Sequence, residues 1–171
     1  MFILHSDRLR LINADATVLQ KIIEGDLALG QYLNAIVRSG WSEFGDRVFH
    51  YALDQILEKP DTAHWWTYLP VHQANNELIG SCGFKGPPDD QGRVELGYEI
   101  RTNYRNHGLA TELTACLLDF AFEQVDIQLV QAHTQGDSNA SCRVLLKNGF
   151  VKGQHMLDAE AGAIWKWIRT K

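Results

Sequence analysis

Arg8-Leu9-Arg10-Leu11-Ile12 alternates polar and apolar side chains with the period of a half-buried strand, and Asn13 to Asp15 follow with turn and N-cap chemistry. Val18, Leu19, Ile22 and Ile23 then recur at helical spacing, so the pattern predicts a strand feeding a helix. Residues 26–37 and 46–58 carry two further helical patterns, separated by Ser39-Gly40-Trp41-Ser42. Pro60 closes the second, because its ring has no amide hydrogen to continue the ladder. From His64 to Val71 the chain is aromatic and β-branched, Asn75-Asn76 is a turn signal, and Leu78 to Phe84 resumes the strand pattern, which predicts an antiparallel hairpin. A turn over residues 87–92 leads into a third strand, Val94 to Ile100, in the same meander.

The period changes again at Gly108. Leu109, Leu113, Cys116, Leu117, Phe120 and Ala121 fall on one face of a helix over residues 108–124, and Ile127 to Ala132 is a short apolar strand. Strand, helix and strand in that order predict a crossover with parallel pairing inside a mixed sheet. Asp137, Ser138 and Asn139 are N-cap candidates for a helix carrying Val144, Leu145 and Leu146, which Asn148-Gly149 should stop in a left-handed turn. Phe150 onward and Ala163 to Ile168 read as a last hairpin across residues 158–162. No repeat, low-complexity tract or linker interrupts the run, so one α+β domain over residues 1–171 is expected.

Composition narrows the function classes. A chain of 171 residues builds one hydrophobic core comfortably. A net charge of -5 gives no electrostatic footprint for nucleic acid or an anionic membrane. Cys82, Cys116 and Cys142 form no C-x-x-C pair, which disfavours a disulfide framework and a zinc site and points to a reducing, cytoplasmic setting. The opening MFILHSDRLRL lacks the pattern of an export signal, and no apolar run reaches the ~18 residues of a membrane span. His5, His50, His64, His72, His133 and His155 show no ligand spacing, so no metal is expected.

Candidate chemistry gathers where Ile100 ends a strand and Gly108 opens a helix. The link places several backbone N–H groups at the positive end of a helix dipole, which suits an anion. Gly108 lets a ligand approach bare backbone, Ala110 keeps the first turn shallow, and Arg105 adds charge. Strand, glycine turn and helix also pack this way with no ligand at all. The spacing is neither G-x-x-x-x-G-K-[ST] nor G-x-G-x-x-G, which removes the main support for a nucleoside-triphosphate or dinucleotide site and for an NAD-linked oxidoreductase.

Arg105-Asn106-His107-Gly108-Leu109-Ala110 resembles the Arg/Gln-x-x-Gly-x-Gly/Ala pyrophosphate loop of the GNAT superfamily of N-acetyltransferases. Asn139-Ala140-Ser141 and Lys147-Asn148-Gly149-Phe150 resemble the family's later helix and its close, and residues 78–84 and 95–100 its two central strands. Ser6-Asp7-Arg8-Leu9-Arg10-Leu11 is similar to the opening strand of the RimJ/RimL-like branch, which acetylates ribosomal-protein N-termini, although Ile12-Asn13 stands where that branch continues into arginine-proline. Residues 26–60, on the acceptor side, match no family pattern.

The resemblance implies a central sheet of six to seven mixed, mostly antiparallel strands flanked by helices, and acetyl-CoA as cosubstrate. Its pyrophosphate would lie on Arg105, Asn106, His107, Gly108, Leu109, Ala110 and Thr111. Its pantetheine arm would follow the strand end at Ile100, Arg101 and Thr102, where a splayed strand leaves backbone groups free for a peptide-like ligand. Asn139 and Ser141 would touch the cofactor, Ser141 also protonating the thiolate. Glu95 is the candidate base, expected with a raised pKa; the alternatives are a solvated carboxylate or one paired across to the next strand. Glu99 is expected to be structural, and Asn139 could simply cap its helix. Cys142 suits a buried, inert thiol better than a covalent acetyl carrier. Tyr32, Trp41, Trp65 and Trp66 are candidates for the acceptor wall, alternation allowing only one of Trp65 and Trp66 to face inward. The implied enzyme acetylates a primary amine, on a protein N-terminus or a small molecule, as a monomer or homodimer; a non-catalytic acyl-CoA-binding module is the alternative.

Overall fold

The computed structural model describes residues 1–136, 138–158 and 162–171. Among them nine strands form one twisted sheet: β1 (Ile3–His5), β2 (Leu9–Asn13), β3 (Thr67–His72), β4 (Glu77–Leu78), β5 (Gly80–Phe84), β6 (Arg93–Ile100), β7 (Leu129–Gln135), β8 (Val151–Asp158) and β9 (Gly162–Thr170). Their spatial order is β1-β2-β3-β5-β6-β7-β9-β8, with β4 paired to β3. Every described pairing of named strands is antiparallel except β6 with β7. The sheet is wider than the six to seven strands expected, because β1 and β4 are too short for alternation to show in the sequence.

Five α-helices among the described residues cover it: α1 (Ala16–Glu24), α2 (Asp26–Leu33), α3 (Asp46–Glu58), α4 (Leu109–Glu123) and α5 (Ala140–Lys147). Asp15 starts α1 by accepting the Val18 N–H at 3.0 Å. The helix expected over residues 26–37 stops at Leu33, where Asn34 turns left-handed (φ 48°). The strand expected from His64 starts at Thr67, after a 3₁₀ turn over Pro60–Trp65. Gly149, at φ 75°, gives α5 its left-handed stop. Asp137 and the turn residues Ala159, Glu160 and Ala161 lie outside the described residues.

Two cores lie on the two faces of the sheet. The first packs Leu109, Leu113, Leu117 and Phe120 of α4 against Leu9, Leu11, Val94, Leu96 and Ile100, with Trp167 at one end. The second packs Val18, Leu19, Leu29, Phe49 and Ile56 of α1 to α3 against Ile12, Leu69, Val71 and Leu78. Each fully buried leucine or isoleucine contributes about 1.5–3 kcal/mol. This double cover corrects one expectation: Trp65 and Trp66 are both buried, one in each core. Trp65 ends the 3₁₀ turn and Trp66 precedes β3, so strand alternation does not apply to them, and neither face of the sheet there is wet.

Candidate active site

Parallel pairing of β6 with β7 runs only from Arg93↔Leu129 to Glu95↔Gln131. Beyond that rung β7 stays paired to β9 as far as Gln135, and β6 stays paired to β5 as far as Ile100. The two strands therefore diverge, and main-chain groups along their facing edges lack ladder partners. Tyr98 enters the gap, its hydroxyl donating to the Ser141 carbonyl at 3.4 Å. Burial pushes the Tyr98 phenol up to about 12, with the Ser141 contact acting in the opposite direction and the nearby Cys142 adding to the rise.

At the mouth of the gap the chain leaves β6, makes a 3₁₀ turn over Thr102–Tyr104 and enters α4. Asn106 (φ 65°) and Gly108 (φ 78°) are both left-handed. A Cβ on Gly108 would meet only the Arg8 guanidinium, at 3.5 Å, so glycine is there for its backbone freedom and not for lack of room. The N–H groups of residues 106–111 have no partner among the described residues; those of Leu109, Ala110 and Thr111 belong to the first turn of α4, where none is available within the helix. Alternating turn conformations followed by a helix N-terminus make a concave anion cradle.

This cradle and the gap form one cleft of 740 Å³. Of the residues assigned to the cofactor from sequence, Ile100, Arg105, Asn106, Gly108, Leu109, Ala110, Thr111, Asn139 and Ser141 line it. Arg101 and His107 face a different cleft beside Arg8 and Glu77, where Arg101 pairs with Glu77. Thr102 is exposed in the 3₁₀ turn. Arg105 donates from Nε to the Ile100 carbonyl at 2.6 Å and pairs through Nη2 with Glu43 at 2.7 Å. Asn139 caps α5: its Oδ1 accepts the Cys142 N–H at 2.9 Å and its Nδ2 donates to the Gln135 carbonyl. Its Oδ1 thus performs the capping role, while its Nδ2 ties the start of α5 to the end of β7. Cys142 is buried, with the Thr134 hydroxyl 3.5 Å from its sulfur.

On the other face of β6, Glu95 pairs with Lys85 and with His133, whose Nδ1 lies 3.0 Å from Oε1. Burial raises the Glu95 pKa, but the hydrogen bonds and charges of Lys85 and His133 outweigh it and the net shift is downward. The raised value expected from sequence is corrected: desolvation is present, and two donors overcome it. Glu95 borders neither of these clefts directly; its partner Lys85 lines a third, between α3 and the β5–β6 pair. An ionised carboxylate only accepts, so the His133 hydrogen that faces Glu95 is carried on Nδ1. Glu99 is buried and accepts from Ser81 Oγ at 2.7 Å, Ser42 Oγ at 2.6 Å and the Glu43 N–H at 2.7 Å, which fits its structural reading.

The third cleft, of 710 Å³, lies between α3 and the β5–β6 pair and has Phe44 in common with the cleft between β6 and β7. Trp66 lines it, whereas Tyr32 and Trp41 line neither of these two. Trp41 is buried against Phe49, ring centroids 5.3 Å apart, and donates to Asp26 at 3.1 Å; Tyr32 is exposed on α2. Phe44, Val48 and Tyr51 line the cleft beside Trp66. Helical spacing from 46 shows that α3 is amphipathic, but which of its exposed apolar residues meet a cleft follows only from packing. His133 and Lys85 were likewise invisible, because their contact with Glu95 is made across strands and a loop. Among the described residues no group of three or more His, Cys, Asp or Glu could hold a metal ion, and no helix is long and apolar enough to cross a membrane.

The chain belongs to the GNAT acetyltransferases: the family's acetyltransferase domain matches residues 8–151. It is 26% identical over 153 residues to the uncharacterized N-acetyltransferase YjdG of Bacillus subtilis, covering 88% of this chain and 90% of that one. Among solved structures it superposes with a TM-score of 0.73 on RimL, the ribosomal L7/L12 α-N-protein acetyltransferase in complex with coenzyme A, at 19% identity over 99% of this chain and 98% of that one. The ribosomal-protein-S5-alanine acetyltransferase of Vibrio fischeri gives the same TM-score at 14% identity, over 99% and 97%. The protein is an acyltransferase, with the mixed sheet and flanking helices of that family.

Proposed function

We propose that the protein moves the acetyl group of acetyl-CoA to a primary amine by direct attack, with both substrates bound. The observation that carries this is the run of unpartnered N–H groups over residues 106–111, opening onto the gap between β6 and β7. Main-chain donors at a helix N-terminus suit a diphosphate, and unpaired strand edges suit the amides of a pantetheine arm. Coenzyme A is the bound ligand of RimL, and acetyl-CoA that of the microcin C7 self-immunity acetyltransferase MccE, a fold neighbour at 10% identity with a TM-score of 0.69, covering 97% of this chain and 94% of that one.

Acetyl-CoA supplies a thioester-activated acyl group. Transfer forms the C–N bond of an amide, breaks the C–S bond, removes a proton from the amine and leaves one on the thiol. Ile100, Asn139 and Ser141 line the cleft that would take the arm, and in this reading the hydroxyl of Ser141 or of Tyr98, which line the same cleft, hands a proton to the departing sulfur. Glu95 and His133 accept the amine's proton through water, Glu95 holding the imidazole in the tautomer whose Nε2 can accept. Arg105 reaches the diphosphate once it leaves Glu43. The acceptor enters from the α3 side, and a cytoplasmic location fits this cosubstrate. Incubation with acetyl-CoA and amines, followed by mass spectrometry, tests the reading. Acetylated amine that disappears in Glu95→Gln while coenzyme A still binds is expected; tight coenzyme A binding with no product from any amine would instead favour a binding module.

A further inference from the structure

We infer that the acceptor is a primary amine carried on an aromatic or branched aliphatic body, which lies in the cleft between α3 and the β5–β6 pair. This rests on the acetyltransferase reading of the adjoining cleft.

Large apolar side chains are left in water on one wall of that cleft: Phe44, Val48 and Tyr51 are 51%, 44% and 58% exposed. Contiguous exposed apolar surface of this kind marks a binding site when it lines a concavity. Behind it Trp66 is buried and meets Tyr51 edge to face, centroids 5.7 Å apart. Gly83 and Gly97 line the strand side together with Ser81 and Cys82. A Cβ on Gly97 would meet nothing within 4 Å, so the space above β6 stays open to an occupant. Phe44 borders this cleft and the one lined by Ser141, so a body seated here directs its amine toward the gap between β6 and β7.

The chemistry of the occupant follows from the wall. A short polar amine would leave the aromatic rim wet and gain little, whereas an aryl or branched alkyl group displaces water from it. A desolvating wall also disfavours an ammonium ion, and the neutral amine is the form that attacks a thioester. Lys85 is held by Glu95, and Arg47 and Asp54 line the same cleft with one charge of each sign, so its charged groups give an ammonium ion no net preference.

The test uses the full chain with acetyl-CoA, following thiol release from phenethylamine, isoamylamine, ethanolamine and a peptide beginning with serine. Phenethylamine is expected to exceed ethanolamine in kcat/KM by roughly 100-fold, the size of discrimination an apolar pocket achieves. Gly97→Leu, whose side chain fills the space above β6 without backbone strain, should lower kcat/KM for phenethylamine about tenfold or more with coenzyme A affinity unchanged by calorimetry. Val48→Ser, at an exposed position that cannot unfold the core, should move the preference in the same direction. Equal or better turnover of ethanolamine or the seryl peptide, or no acetylation of either apolar amine while coenzyme A binds, overturns the inference and leaves the cofactor reading standing. Failure of coenzyme A to bind the folded protein removes the ground for both.

Discussion

His133 Nδ1 and Glu95 Oε1 lie 3.0 Å apart on one face of the sheet, at the place where β6 and β7 part. The carboxylate that sequence marks as the base is therefore the acceptor in a pair, and its depressed pKa makes it a poor base alone. Glu95→Gln should reduce kcat by about 100-fold or more, the usual range for lost acid–base assistance. His133→Asn should do the same, and the double variant should be little worse than either, since the two act as a unit. Steady-state kinetics on the three variants, with coenzyme A affinity as control, reads this out.

The same pair sets an acid limit on stability. A carboxylate whose folded pKa lies below its ordinary 4.5 adds stability above that pH, and loses it as the pH falls toward the folded value. Glu112 behaves alike: burial raises its pKa, but hydrogen bonds from Ser6 and Arg8 and the Arg8 charge bring it down. The melting temperature should hold from neutral pH to near 5 and drop below about 4.5, with a smaller drop in Glu95→Gln and in Glu112→Gln. Thermal melts across that range measure it; an unchanged drop in both variants would remove the carboxylates as its cause.

Glu43 holds Arg105 at 2.7 Å on the rim of the cleft between β6 and β7, where coenzyme A is proposed to bind. A diphosphate must compete for that guanidinium. Arg105→Ala is expected to weaken coenzyme A binding about tenfold, as loss of a charge-assisted contact does. Glu43→Gln is expected to tighten it by at most about fivefold, because an exposed ion pair holds its partners only weakly. Isothermal titration of both variants gives the two signs directly.

Asn139→Ala removes a cap and its bond to the Gln135 carbonyl. A loss of about 1 kcal/mol is expected, seen as a fall of roughly 2–4 °C in melting temperature for a chain of this size. Comparing melts with and without coenzyme A separates capping from cofactor contact: a pure cap lowers both curves equally.

Sequence alone carried most of the frame. Period-two and helical patterns gave β2, α1, α3, β6 and α4 within a residue or two, since each buries one regular face. Very short strands, and the two-sided burial of Trp65 and Trp66, depend on what packs above them. The turn from Arg105 to Ala110 was legible because glycine and a helix start announce its backbone geometry locally. Trp41 belongs to the core and Phe44, Val48 and Tyr51 to the cleft for a reason no spacing contains: the way α3 rests on the sheet. The partners of Glu95 lie at residues 85 and 133, brought together only by the fold.

Amide hydrogen exchange over residues 104–112, with and without coenzyme A, tests the central claim most directly. Unpartnered N–H groups at 106–111 should exchange fast in the free protein and slow markedly once coenzyme A is bound, as a main-chain diphosphate cradle requires. Saturating coenzyme A that leaves exchange at those amides unchanged would contradict it.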